Sequence, residues 1–130
     1  MSTTPSAARS FVRDTLQAWD LRQLIEQAEV IAGELVTNAV KATRHSARHK
    51  DSPASLATVS IELHLDDSAF RIAVRDSSTE QPALQVVGED AEGGRGLFLV
   101  EALSTRWDAF PVTGGKVTWA ELDSSTPADV

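Results

Sequence analysis

Between Leu21 and Ala39 the apolar residues Leu24, Ile25, Ala28, Ile31, Ala32, Leu35 and Ala39 recur at intervals of three and four. That spacing lines one face of a helix that turns every 3.6 residues. No proline interrupts the run before Pro53, so the pattern predicts one long amphipathic helix beginning at Leu21 and ending near His45. A helix with a single apolar stripe has to bury it against another layer of structure. The remainder of the chain is expected to supply that layer.

Upstream, Phe11, Val12 and Leu16 share a face of a shorter helix expected over residues 7–18, with Trp19 near its end. Downstream, residues 46–57 mix Ser, Lys, Asp and Pro and read as a connecting loop. Two alternating segments follow, Val59, Ile61, Leu63, Leu65 and then Phe70, Ile72, Val74, separated by Asp66-Asp67-Ser68, so an antiparallel hairpin is predicted. After Asp76 the pattern dissolves and stays irregular as far as Gly94, a long stretch for a loop in a compact domain and for that reason a candidate functional segment. A third helix is expected to start near Arg95 or Gly96, with Leu97, Val100 and Leu103 turned inward. A second hairpin is expected from residues 107–112 and 116–122, which flank Thr113-Gly114-Gly115. The order helix, helix, strand, strand, loop, helix, strand, strand places the chain in the α+β class. The expected architecture is a two-layer α/β sandwich, a mostly antiparallel sheet covered by helices on one face.

A length of 130 residues suits one domain, expected over residues 8–123 between flexible tails at 1–7 and 124–130, which are rich in Ser, Thr, Ala and Pro. No apolar run approaches the roughly 20 residues needed to cross a bilayer, so no membrane association is expected. The N-terminal stretch has neither a basic nor an apolar signal region, and a cytoplasmic location is the resulting expectation. The chain has no cysteine, which removes disulfides and thiolate metal sites from consideration. A formal net charge of −7 argues against a nucleic-acid partner, because phosphate neutralisation requires clustered Lys and Arg.

Three groups of residues could carry chemistry. In Glu34-Leu35-Val36-Thr37-Asn38-Ala39-Val40-Lys41, Glu34 and Asn38 stand one turn apart and Lys41 continues their stripe, which borders the apolar face of the helix. The stripe is either the rim of a ligand cleft or a solvated flank. Asp76 closes the second strand, where its carboxylate can accept a hydrogen bond from the exocyclic amine of a base or can close an Asx turn through Ser77 and Ser78. Gly93-Gly94-Arg95-Gly96-Leu97 precedes the third helix, where free backbone N–H groups favour an anion such as phosphate; the alternative is a flexible lead-in. It is not a Walker A loop, since the Gly-Lys-Ser/Thr ending is absent. His45 and His49 are four apart without a third ligand in view, so no metal site is expected of them. Trp107 and Trp119 are expected to pack on the sheet rather than stack on a base.

Taken together, these groups resemble the GHKL ATPases, the superfamily of gyrase and the histidine kinases. Glu34 to Lys41 is similar to the N box of that superfamily, Asp76 to the aspartate of its first glycine box, and Gly93 to Leu97 to its second. Within the superfamily the chain resembles the small actinobacterial ATP-binding proteins grouped with the anti-sigma-factor serine kinases, from about Ala8 to Leu122, including the closing strand Gly115-Lys116-Val117-Thr118-Trp119-Ala120-Glu121-Leu122. The resemblance implies a Bergerat-type ATP-binding fold with ATP and Mg²⁺ as ligands. It implies that Asn38 holds the Mg²⁺, that Glu34 orients or deprotonates the attacking hydroxyl, and that Asp76 reads the adenine amine. Gly94, Arg95, Gly96 and Leu97 would wrap the phosphates, Lys41 would add positive charge, and Thr118 would hold the adenine through water. Such a set matches phosphoryl transfer, which needs mainly positioning and charge neutralisation.

The sequence departs from the superfamily in two places. The family's Asp-x-Gly-x-Gly is replaced by Asp76-Ser77-Ser78-Thr79-Glu80, and Ala42 stands where relatives often carry His. The stretch from Glu80 to Glu92 contains no basic residue. The functional expectation is an ATP-dependent protein serine/threonine kinase acting as an anti-sigma factor. Its partners would be a sigma factor and a STAS-type antagonist, and a homodimer is implied. The altered first glycine box leaves a second expectation: an ATPase-like module, catalytically weak or inactive, that acts by protein contact. A third, the catalytic half of a split histidine kinase, lacks a phosphoacceptor helix.

Overall fold

The computed structural model describes residues 3–50, 59–77 and 91–124, with backbone alone over 44–50 and 91–96. The elements follow the expected order: α1 (Pro5–Ala18), a 3-10 turn (Arg22–Leu24), α2 (Ile25–Lys50), β1 (Ser60–Leu65), β2 (Ala69–Asp76), α3 (Ala91–Leu103), β3 (Arg106–Val112) and β4 (Gly115–Asp123). The two hairpins join into one antiparallel sheet of order β1-β2-β4-β3, which places the last strand beside the second and builds the centre of the sheet from β2 and β4. Helix α2 packs over these central strands, α1 packs on α2, and α3 lies between α2 and β3. This is the α+β two-layer arrangement.

Element boundaries differ from the sequence pattern at several ends. Helix α1 begins at Pro5 rather than residue 7, because Pro5 occupies the first helical position and the Thr4 hydroxyl accepts the Ala7 N–H at 3.2 Å. The Thr3 N–H donates to the Val59 carbonyl at 2.9 Å, so the part of the expected N-terminal tail from Thr3 onward is tied to the body. The C-terminus of α1 is a Schellman motif, with Leu21 N–H on Leu16 O at 2.8 Å and Asp20 N–H on Gln17 O at 3.2 Å. Asp20 holds the left-handed position at φ 60°. That turn is why the second helix starts at Ile25 after a 3-10 turn instead of at Leu21. At its other end α2 continues to Lys50, past the expected stop near His45; nothing in the Ser-Ala-Arg-His-Lys stretch is a helix breaker. The side chains of His45 and His49 lie outside the described set.

The core is formed by the predicted stripe of α2, by Ala8, Val12 and Leu16 of α1, by Ile61 of β1, by Phe70, Ile72 and Val74 of β2, and by Ala120 and Leu122 of β4. Trp19 meets Phe70 edge to face at 6.1 Å. Trp107 faces the helix layer and donates its indole N–H to Glu101 of α3 at 3.3 Å. Trp119 lies on the opposite face of the sheet under the Arg71 guanidinium, 4.2 Å from the ring centroid. Both tryptophans therefore pack on the sheet, as expected. On that open face Glu121 accepts from Arg71 Nη2 at 2.6 Å and from Arg106 Nε at 2.6 Å. Burial pushes the Glu121 carboxyl up, but the hydrogen bonds from Arg106 and Arg71 outweigh it and hold the group below its ordinary value.

The expected tail over 124–130 is described only at Ser124, and most of the irregular stretch from Ser77 to Gly94, including the segment from Glu80 to Asp90, lies outside the described residues. Among the described residues, no helix is long and apolar enough to cross a membrane.

Candidate nucleotide site

The Glu34, Asn38, Lys41 stripe sits on the helix that packs over β2 and β4. Its neighbours Leu35, Val36 and Ala39 are buried; Glu34 and Asn38 are half-buried, and Lys41 is exposed. The stripe thus runs from the edge of the core outward, as its position beside the apolar face requires. Asn38 carries a feature that a merely solvated flank does not explain. Its Nδ2 is buried and has no hydrogen-bond partner among the described residues. A buried amide group left unpaired costs roughly 1–3 kcal/mol, and such groups are rare in folded proteins.

Asp76 is the last residue of β2 and is buried, with 1% of its side chain exposed. Across the ladder its partner is Lys116, the second residue of β4, and the two side chains form an ion pair: Lys116 Nζ lies 3.0 Å from Asp76 Oδ2 and 3.2 Å from Oδ1. Only 5% of the Lys116 side chain is exposed. Lys116 is not among the residues that the sequence motifs single out. A signal for it exists, because Lys116 shares strand phase with Thr118, Ala120 and Leu122, all buried, and a lysine in phase with a buried row is anomalous unless it is paired. The approach of β4 to the end of β2 is made possible by Gly115: a Cβ there would fall on the Asp76 carbonyl. Thr118 is buried two residues along the same face, paired in the ladder with Val74.

The third group needs correction. The sequence pattern starts the third helix at Arg95 or Gly96, whereas α3 begins at Ala91, so Gly94, Arg95 and Gly96 are helical residues and not a loop before a helix. Propagating a helix adds a hydrogen bond for each residue fixed, and Ala91 and Glu92 are good helix formers, which carries the helix through glycines that disfavour it by about 1 kcal/mol each. Leu97 and Val100 are buried, as expected. Helix α3 packs against α2, so the glycines stand on the element next to the one that carries Asn38.

The family model for the histidine kinase-like ATPase domain matches residues 2–121. The chain belongs to that family. No curated protein matches the sequence. In a histidine kinase-like ATPase domain the expected ligand is ATP, and the Asn38 amide fits a place in its site. Rotating the carboxamide by 180° exchanges Oδ1 and Nδ2, so the same position can offer a donor to a phosphate oxygen or an oxygen to a cation. Among the described residues no group of three or more His, Cys, Asp or Glu could hold a metal. A Mg²⁺ held by a single protein oxygen would take its remaining ligands from phosphates and water, which is common for this ion.

Proposed function

We propose that this protein is an ATP- and Mg²⁺-binding regulatory switch of the cytoplasm that captures a sigma factor and phosphorylates a serine or threonine on a STAS-type antagonist. The observation that supports the nucleotide half is the buried Asn38 Nδ2, which has no partner among the described residues, in a chain of the histidine kinase-like ATPase family. Folding alone gives no return for burying that group. Asn38 would hold the Mg²⁺ through its amide oxygen. The ion, when bound, would neutralise charge on the phosphates. Glu34, one turn away and half-buried, is close enough along the helix to orient an incoming hydroxyl and take its proton. Asp76 would accept from the exocyclic amine, Thr118 would support the base, and Lys41 would add positive charge at the rim. Gly94, Arg95, Gly96 and Leu97 would meet the phosphates, which requires the first turns of α3 to open. The kinase step and both protein partners rest on the likeness to the small anti-sigma kinases.

A second reading is favoured by two observations: the Asp76 carboxylate is already engaged by Lys116, and the glycines are wound into α3. Under it, the domain binds nucleotide weakly or not at all and acts by protein contact. Calorimetric titration with ATP and Mg²⁺, repeated with Asn38→Ala, separates the two readings. Binding that requires both Mg²⁺ and Asn38 supports the first; no heat at millimolar ATP supports the second. Transfer of labelled phosphate to a panel of STAS-domain proteins, by wild type and by Glu34→Ala, then tests the kinase step. Equal transfer by both proteins would remove Glu34 from the catalytic role.

A further inference from the structure

The buried pair of Lys116 and Asp76 has more structure than stability requires. Desolvating two charges costs several kcal/mol per ion, and a buried ion pair is often no more stable than well-packed apolar residues of the same volume. The pair sits where β2 leaves the sheet and β4 enters it, on the helix-facing side with Thr118. An ammonium has three N–H donors. Lys116 Nζ lies 3.0 and 3.2 Å from the two Asp76 oxygens, which one N–H can serve between them, and the ammonium keeps further N–H donors with no partner among the described residues. A donor that is desolvated, charged and held in place by a neighbouring carboxylate is suited to recognising an acceptor on a ligand, because little water has to be removed from it when the ligand arrives.

We infer that Lys116 is a base-reading residue, donating an N–H to the ring nitrogen of adenine that lies next to the exocyclic amine. The inference rests on the ATP-binding reading and deepens it. The amine of adenine donates and the adjacent ring nitrogen N1 accepts. A carboxylate and an ammonium side by side present the complementary pattern, acceptor beside donor. Asp76 and Lys116 are ladder partners on adjacent strands, and neighbouring strands lie about 4.8 Å apart, so the two side chains approach the base edge from the two central strands together. Gly115 is part of the same device. Any side chain there would push β4 away from the end of β2 and separate the pair.

The test compares Mg²⁺-ATP with Mg²⁺-1-deaza-ATP, which keeps the amine and lacks the N1 acceptor, by calorimetry on the intact protein and on Lys116→Met. A hydrogen bond from a charged donor to a buried acceptor corresponds to roughly a 10- to 100-fold change in affinity. Wild type is expected to bind ATP tighter than the 1-deaza analogue by that factor, and Lys116→Met to lose that preference and bind the two ligands alike. Equal binding of ATP and 1-deaza-ATP by wild type overturns the inference, and this arm needs no variant, so it stands even if Lys116→Met fails to fold. Equal weakening of both ligands in Lys116→Met assigns Lys116 to holding Asp76 and also overturns it. GTP binding tighter than ATP overturns the assignment of the base. Wild type binding none of the three removes the ATP reading itself, and is distinguishable from the other outcomes.

Discussion

The two glycines of the β3–β4 turn are required for different reasons, and substituting them separately tests the geometry of the site. Gly114 has φ +79° with open space around its Cα, so an alanine there meets only the backbone penalty of the left-handed region, about 1–2 kcal/mol. Part of this is offset because alanine restricts the unfolded chain, by about 0.4–1 kcal/mol. The net cost of Gly114→Ala is therefore about 0.5–1 kcal/mol. Gly115 has no positive φ, but its Cβ would overlap the Asp76 carbonyl oxygen, with Asp76 C at 2.8 Å and Ser77 Cα at 2.9 Å. These are backbone atoms of the neighbouring strand and cannot swing aside. Gly115→Ala is expected to cost at least the upper part of the overpacking range, about 2–3 kcal/mol. For a domain of this size each kcal/mol moves the Tm by about 4 °C, so thermal unfolding should fall by about 2–4 °C for Gly114→Ala and by about 8–12 °C for Gly115→Ala. Asparagine tolerates the left-handed region, so Gly114→Asn should be nearly neutral and Gly115→Asn at least as damaging as alanine. Because the clash displaces the end of β2, Gly115→Ala should also weaken ATP binding at temperatures where it is folded, and Gly114→Ala should not. Equal, small Tm shifts at the two positions would refute the close approach of β4 to Asp76.

Four other outcomes are expected. Asn38→Ala should leave the Tm unchanged or higher, because it removes a buried unpaired amide worth roughly 1–3 kcal/mol, while lowering Mg²⁺-ATP affinity; a lower Tm with intact affinity would mean that Asn38 is structural. Gly94→Ala should raise the stability of α3 by about 1 kcal/mol and weaken ATP binding if the first turns must open, read by hydrogen exchange and calorimetry together. Glu121 has its carboxyl held below the ordinary 4.5, so its contribution is complete above that value and lost as pH falls through the lower, folded one; the stability gap between wild type and Glu121→Gln in urea should therefore be open at pH 7 and shrink as the pH drops below about 4. Asp20→Leu should destabilise by about 1–2 kcal/mol, because a side chain that cannot hydrogen-bond locally meets the full left-handed penalty at φ 60°; unchanged urea midpoints would contradict the Schellman turn.

Much of this protein was legible without coordinates because it depends on periodicity. The stripe from Leu24 to Ala39 specifies α2 and its buried face, and the alternation in 59–65 and 70–74 specifies the first hairpin, since side-chain direction in helices and strands follows directly from residue spacing. The placement of Glu34 and Asn38 at the edge of the core follows from the same arithmetic, as does the inward direction of Leu97 and Val100. Asp76 could be located at a strand end but not given a partner, because its partner lies 40 residues away in the chain and is set by which strand neighbours which. Local sequence predicts two hairpins equally well whether β2 lies beside β4 or beside β3. Only the packing of both hairpins under α2 selects the order β1-β2-β4-β3, and that order brings Lys116 to Asp76 and makes Gly115 indispensable. The start of α3 was likewise beyond local reading: glycine propensity argues for a break at Gly93 to Gly96, and helix propagation from a packed segment overrides it. Spacing along the chain determined which side chains face inward, whereas the charge pair at the candidate site depends on strand neighbours, a long-range choice made by burial of the whole apolar surface at once.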